Sequence, residues 1–332
     1  MAENMRVFRP IHFSSLHSMY FGSTIITGLT QEGSMNDSQP YKVAFLGPLG
    51  TYSHQVAYEQ FKDLVEYREK GSISAVFESL GEVDFGIIPQ ENTIFGPVVE
   101  TYDALRHIQD GFICGEATLE VQHCLVVREG VRLSEIECVM SHEQALGQCR
   151  GFIANNLPHA ATRKMASTAA AAKALLSSPA NHAAICSKIC IKMFEGLEVL
   201  HEGIQDEHSN YTRFYIIARS PKIHLPVLEA HHPKKALIRI ESGSQKANGH
   251  SKPSHVNIAT LISVLRLRIE RIDRRPALDG VPFNNVYIVE VEKESEAGPN
   301  GGLDSPTWKE QVEDAQRRIR DSGGEARLLG LW

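Results

Sequence analysis

Asn210-Tyr211-Thr212-Arg213-Phe214 joins a polar stretch, His201 to Ser209, to an apolar, β-prone run, Phe214 to Ala218. A loop can offer polar groups in many directions, while the strand behind it holds them fixed. Thr212 supplies a hydroxyl able to donate or accept a proton, and Arg213 a planar fork suited to a carboxylate or phosphate. Alone, such a pair is more often a strand entry with a solvated arginine than a site. Three other stretches give it company. Gly47-Pro48-Leu49-Gly50-Thr51-Tyr52-Ser53-His54 follows an apolar run, Lys42 to Leu46, and precedes a helical pattern of Val56, Ala57, Phe61 and Leu64. A glycine turn there presents backbone N–H groups that attract an anion, with Thr51 or Ser53 as the cap. No Lys follows the second Gly as a P-loop would require. Val83 to Ile88 reads as a strand ending at Pro89, which delivers Gln90, Glu91, Asn92 and Thr93 into a loop where open α/β sheets place ligand groups. Ser141 to Gln144 matches a capping box with Ser141 as the cap, and Thr168, just before the Ala-rich run 169–176, is either a cap or a ligand donor.

The elements that must position these groups alternate. Glu116 to Val127 and Ile136 to Met140 read as strands, and Ala183 to Cys186 and Leu197 to Leu200 flank a helix that Gly196 can end. Strands and helices alternate from 41 to 219, which implies an α/β fold whose polar loops converge only if two lobes face each other. After a linker, 221–233, the pattern restarts over 234–332 in the order βαββαβ. Its second helix carries a capping box of Thr307 and Glu310, an apolar stripe of Trp308, Val312, Ala315 and Ile319, and i,i+4 pairs Glu313/Arg317 and Asp314/Arg318. Flexible loops are expected at 242–254 and 295–306.

Composition narrows the function. A chain of 332 residues, 42% apolar and 22% charged with net charge −6, suits about two globular domains and gives no reason to expect nucleic acid or a membrane as partner. Six cysteines lack a CxxC pair. Cys186 and Cys190 stand four apart, as on one helix face, and the set fits reduced thiols in a cytoplasmic protein. Fifteen histidines, His231-His232 among them, show no metal-ligand spacing, so no metal is expected. Residues 1–40 read as a disordered extension in which Arg6 and Arg9 leave room for a weak targeting leader and Met35 for an alternative start.

Taken in order, the Gly47 to His54 stretch, Pro89-Gln90-Glu91-Asn92-Thr93, Ser141-His142-Glu143-Gln144-Ala145-Leu146, Ala183-Ala184-Ile185-Cys186-Ser187 and Asn210 to Phe214 resemble the motifs of prephenate dehydratases. The likeness covers 41–220, and the tail resembles the ACT regulatory domain that follows in that family. It implies a two-lobed, type II periplasmic-binding-protein-like catalytic domain, and loss of CO2 and the ring hydroxyl from prephenate to give phenylpyruvate for phenylalanine biosynthesis. No cofactor is implied, because aromatisation drives the elimination. By resemblance Thr212 polarises or protonates the leaving hydroxyl, with Glu91, Asn92 and Thr93 beside it. Arg213 and the amides near Thr51, Tyr52 and Ser53 hold carboxylates, and Thr168, Asn210 and Phe214 complete the substrate shell. Glu91 suits a dianion poorly and is expected to orient a neighbour. Thr93 stands where the family usually has Ser, and Glu143 where it has Pro. In the tail the effector motif survives only as Asp273-Arg274-Arg275-Pro276, which leaves L-phenylalanine feedback open. The resemblance also implies a homodimer or homotetramer. Arogenate dehydratase, and a non-catalytic sensor of amino or keto acids, are the alternative readings.

Overall fold

In the computed structural model, which describes residues 40–223, 233–242, 257–294 and 306–332, each apolar run of the first lobe becomes a strand packed on both faces. This lobe comprises β1 (Tyr41–Leu46), α1 (Tyr52–Phe61), β2 (Val65–Lys70), α2 (Ile73–Glu78), β3 (Phe85–Asn92), β4 (Gly96–Pro97), α3 (Val99–Leu105) and β5 (Phe112–Glu120). The chain then crosses to a second lobe of β6 (Cys124–Arg128), β7 (Cys138–Ser141), α4 (Glu143–Gln148), α5 (Arg150–Asn156), β8 (Ala161–Lys164), α6 (Thr168–Leu175), β9 (His182–Cys186), α7 (Cys190–Met193) and β10 (Leu197–His201). It returns as β11 (Tyr211–Ala218), which inserts antiparallel between β3 and β5. The second lobe has its own sheet, ordered β10-β6-β9-β7-β8. Two crossings therefore join the lobes, and they are tied together: Val121 N–H donates to Asn210 O (2.8 Å), and Ile204 N–H to His123 O (3.0 Å).

Several boundaries differ from the sequence reading. The strand expected to stop at Pro89 runs on to Asn92, because the proline sits beside a β-bulge, where its missing N–H is tolerated. The single strand expected over Glu116 to Val127 is two, broken at the lobe crossing. Ser141 does not cap α4. It ends β7 and donates to Ile185 O (2.6 Å), while His142 takes the cap position and accepts from Gln144 N–H. Cys186 ends β9 and Cys190 opens α7, so they share no helix face; all six cysteines are free.

The tail follows the expected order: β12 (Lys235–Ser242), α8 (Ile258–Ser263), β13 (Arg268–Pro276), β14 (Asn285–Glu292), α9 (Trp308–Asp321) and β15 (Gly324–Leu331). The capping box of α9 forms, and its stripe is buried; Asp314 meets Arg318 as expected, but Arg317 turns to Asp314 (2.9 Å) rather than Glu313. The tail sheet, β13-β14-β12-β15, continues through β5 into the first lobe's sheet. Gly330 makes that join possible: a Cβ there would stand 2.5 Å from Cβ of Ile113. One core cluster spans the seam, holding Ile113, Tyr215 and Ile217 together with Leu237, Ile288 and Leu329. Residues 1–39 of the expected extension 1–40, residues 224–232 of the linker 221–233 with His231-His232, and most of both flexible loops lie outside the described residues. Among the described residues no helix is long and apolar enough to cross a membrane, and no group of three or more acidic, His or Cys side chains is placed to hold a metal.

Candidate active site

A cavity of about 400 Å³ lies between the lobes. Its first wall comes from the start of α1 (Thr51, Tyr52, Ser53), the end of β3 (Asn92) and the start of β11 (Thr212). The facing wall comes from α4 (His142, Gln144, Gln148) and the start of α6 (Ser167, Thr168), and His123 and Asn210 form the crossing floor. Among the described residues, no Asp, Glu, Lys or Arg lines it.

Asn92 and Thr212 are directly opposed on β3 and β11. Asn92 Nδ2 donates to Thr212 Oγ1 (2.9 Å) and to Asn210 Oδ1 (2.7 Å), while its Oδ1 accepts from the amides of Ile94 (2.9 Å) and Phe95 (3.1 Å). Those acceptances fix which end of the carboxamide faces Thr212. With one lone pair of Oγ1 occupied by an N–H, the Thr212 proton is the group left to donate into the cavity.

The pair shares a face only because of the bulge. Side chains alternate along a strand, so Phe85 and Ile87 pack toward α1, and Gly86 and Ile88 toward α2 and the tail. Continued without a break, this would put Asn92 on the tail side. The register instead passes from Arg213 opposite Glu91 to Phe214 opposite Pro89, leaving Gln90 as the extra residue and flipping Asn92 onto the face of Thr212.

Helix starts supply the remaining donors. Thr51 caps α1, accepting from His54 N–H (3.3 Å) and donating to Leu46 O (2.9 Å), so its proton is already spent. The first-turn amides of a helix lack intrahelical acceptors, and the starts of α1 and α6 both line the cavity. Ser167 caps α6 through Ala170 N–H, which makes Thr168 its first residue rather than its cap. Tyr52 Oη lies 2.6 Å from His123 Nδ1, and His123 Nε2 lies 2.6 Å from Gln148 Oε1. One tautomer satisfies both: Nε2–H donates to Gln148, and Nδ1 accepts from Tyr52. Burial lowers the His123 pKa and, with nearby cysteines, raises that of Tyr52, so both rings are neutral.

The structure thus gathers Thr51, Tyr52, Ser53, Asn92, Thr168, Asn210 and Thr212 into one cavity. It places four expected residues elsewhere. Arg213 is on the opposite face of β11, paired with Glu91 (2.8 Å) and Glu290 (3.5 Å), because it follows Thr212 by one residue. Glu91 accompanies it there and also meets Arg271. Phe214 is 2% exposed within the core under α1. Thr93 spends its hydroxyl tying β11, donating to Ser209 O (2.9 Å) and accepting from Tyr211 N–H (2.9 Å). In the tail motif Asp273 pairs with Arg271, Arg275 forks onto Asp103 (2.7 and 2.9 Å), Pro276 O accepts from Arg106 (2.9 Å), and Arg274 is exposed. Sequence reasoning missed His123, His142, Gln148 and Ser167 as cavity residues. Ser167, adjacent to Thr168, was within reach; His123 was not, since its partners lie 71 and 25 residues away.

The family described as Prephenate dehydratase matches residues 43–222. A bifunctional chorismate mutase/prephenate dehydratase of Pseudomonas aeruginosa is 38% identical over 182 residues, 54% of this chain and 49% of that protein, so the chain spans about half the length of this relative. The Bacillus subtilis prephenate dehydratase is 30% identical over 300 residues, 88% of this chain and 98% of its own. Among solved structures, prephenate dehydratase of Arthrobacter aurescens in complex with L-Phe aligns with a TM-score of 0.68 at 25% identity, covering 87% of this chain and 89% of that one. On the family match and the near full-length Bacillus relative, the chain belongs to the prephenate dehydratase family.

Proposed function

We propose that the chain converts prephenate to phenylpyruvate, CO2 and water in the cavity between its lobes. The observation that carries this reading is the Asn92–Thr212 pair, a hydroxyl whose oxygen accepts a fixed amide N–H and whose proton is left to donate. The ring carboxylate departs as CO2, and its bonding electron pair moves through the ring to expel the hydroxyl opposite. That hydroxyl needs a proton to leave as water, and Thr212 donates toward it. As charge grows on Oγ1, the Asn92 N–H stabilises it.

The uncharged lining suits the other half of the reaction. A guanidinium on the departing carboxylate would stabilise the ground state, in which the charge is localised, more than the transition state, in which it is leaving. Helix-start amides of α1 and α6 bind the two carboxylates more gently. The tail is the regulatory domain in this reading. L-Phenylalanine, bound in the Arthrobacter structure, is its proposed effector, and pairing of copies through the tail completes a cytoplasmic homo-oligomer.

A turnover assay on the purified chain tests the proposal, with prephenate and arogenate in parallel and a Thr212→Ala control. Thr212-dependent phenylpyruvate from prephenate is the expected result. Preference for arogenate would change the substrate and keep the site; no turnover of either would leave a binding protein.

A further inference from the structure

We propose that Glu290, a residue of the tail, is a positioning residue for the Asn92–Thr212 pair, acting through the Gln90 bulge; this rests on the function proposed above. Glu290 lies on β14 and is 1% exposed, facing the first lobe with Ile288. Its Oε2 accepts from Gln90 Nε2 (3.1 Å) and from the Tyr215 hydroxyl (3.2 Å). Gln90 Nε2 in turn donates to Tyr215 Oη (2.7 Å), so the three groups close a ring. Glu290 Oε1 takes Lys235 Nζ (3.2 Å) and Arg213 (3.5 Å).

Gln90 is the residue on which the site's geometry turns. It is the inserted residue of the bulge, it is fully buried, and the insertion is what places Asn92 opposite Thr212. A bulge leaves its extra residue outside the ladder, so something other than strand pairing must hold it. The Gln90 carbonyl accepts from Val98 N–H (2.9 Å), and the tail holds its side chain: the carboxylate of Glu290 anchors Gln90 on one side and Arg213, the neighbour of Thr212, on the other. A buried carboxylate is costly to keep, and a buried ionic network is weak evidence of stability by itself, since replacing all its members by well-packed apolar residues is often neutral. The partners of Glu290 on both active strands give it a second task. The tail accordingly helps to set the geometry of the cavity it does not line.

The test uses the full chain with Glu290→Ala, Glu290→Gln and Tyr215→Phe, assayed well below each variant's melting temperature. Glu290→Ala is expected to lower kcat about tenfold to a hundredfold with KM within about twofold, since the carboxylate-binding amides are untouched. Glu290→Gln, which can still accept from Gln90, should recover most of kcat. Tyr215→Phe opens the ring with almost no volume change and covers the case in which Glu290→Ala does not fold; it should lower kcat several-fold. The side-chain amide resonances of Asn92, which need no substrate, should move in Glu290→Ala and Tyr215→Phe. Folded variants with normal kcat, or unmoved Asn92 resonances, would overturn the proposal, as would a loss in KM and melting temperature alone. Moved resonances in a chain that turns over no prephenate would keep the positioning role and remove the proposed reaction.

Discussion

A threonine hydroxyl is a weak acid, so its use depends on what surrounds its oxygen. In this cavity Thr212 Oγ1 receives an N–H from Asn92, and the carboxamide cannot turn without breaking the two bonds its oxygen accepts. Removing the hydroxyl with Thr212→Ala should lower kcat by ~10² to 10⁴ and leave KM nearly unchanged, while Thr212→Ser retains most activity. Asn92→Asp tests the amide separately. It preserves size but replaces the donor with a negative charge beside the developing one, and should lower kcat by ~10² to 10³ in steady-state kinetics. Full activity in Asn92→Asp would remove the amide from the mechanism.

At the scale of elements, the turn before α1 carries two dependences. His54, 1% exposed against Phe45 and Tyr67, accepts the Gly50 N–H on Nδ1 (3.2 Å), which requires a neutral ring. Burial pushes its pKa down to about 4. The unfolded chain binds this proton near pH ~6.5, so the contribution is complete above that value and lost as pH falls toward 4, on the order of 2–3 kcal/mol. Urea midpoints at pH 7.5 and 4.5 should show the loss, and His54→Gln should flatten it. Gly50 itself sits at φ 90°, and a Cβ there would meet Cys190 Sγ of the other lobe at 2.9 Å. Gly50→Ala should therefore shift the α1 amides and raise KM more than it lowers kcat. The motif residues at the start of α1 were legible in the sequence because caps and glycine turns are local, whereas the caps of α4 and α6 each fell one residue from the expected position. The misplacement of Arg213 was not avoidable by such reading. Pro89 gave an apparent strand end, and a one-residue bulge that reverses faces leaves no compositional mark. The join between Gly330 and Ile113 is equally silent, since its cause is a close approach of residues distant in the chain.

For the whole molecule, the seam decides whether the tail is a passenger. Leu237, Ile288 and Leu329 of the tail share a core with Ile113, Tyr215 and Ile217, and Trp332 packs edge-on against Tyr215 at 5.7 Å. Arg275 adds a two-pronged pair to Asp103 of α3, partly shielded from water. Surfaces that share a core lose stability together, because neither can expose its half without opening the other. Both tryptophans of the chain, Trp308 and Trp332, belong to the tail, so their fluorescence reports its unfolding, whereas loss of turnover reports the cavity. The two midpoints in urea should coincide. Leu237→Ala, at a site 1% exposed, should cost ~2–5 kcal/mol of stability and lower both midpoints equally. A fluorescence transition that moved while the activity midpoint stayed in place would make the tail an independent domain, and would deprive Glu290 of the rigid footing from which it holds Gln90.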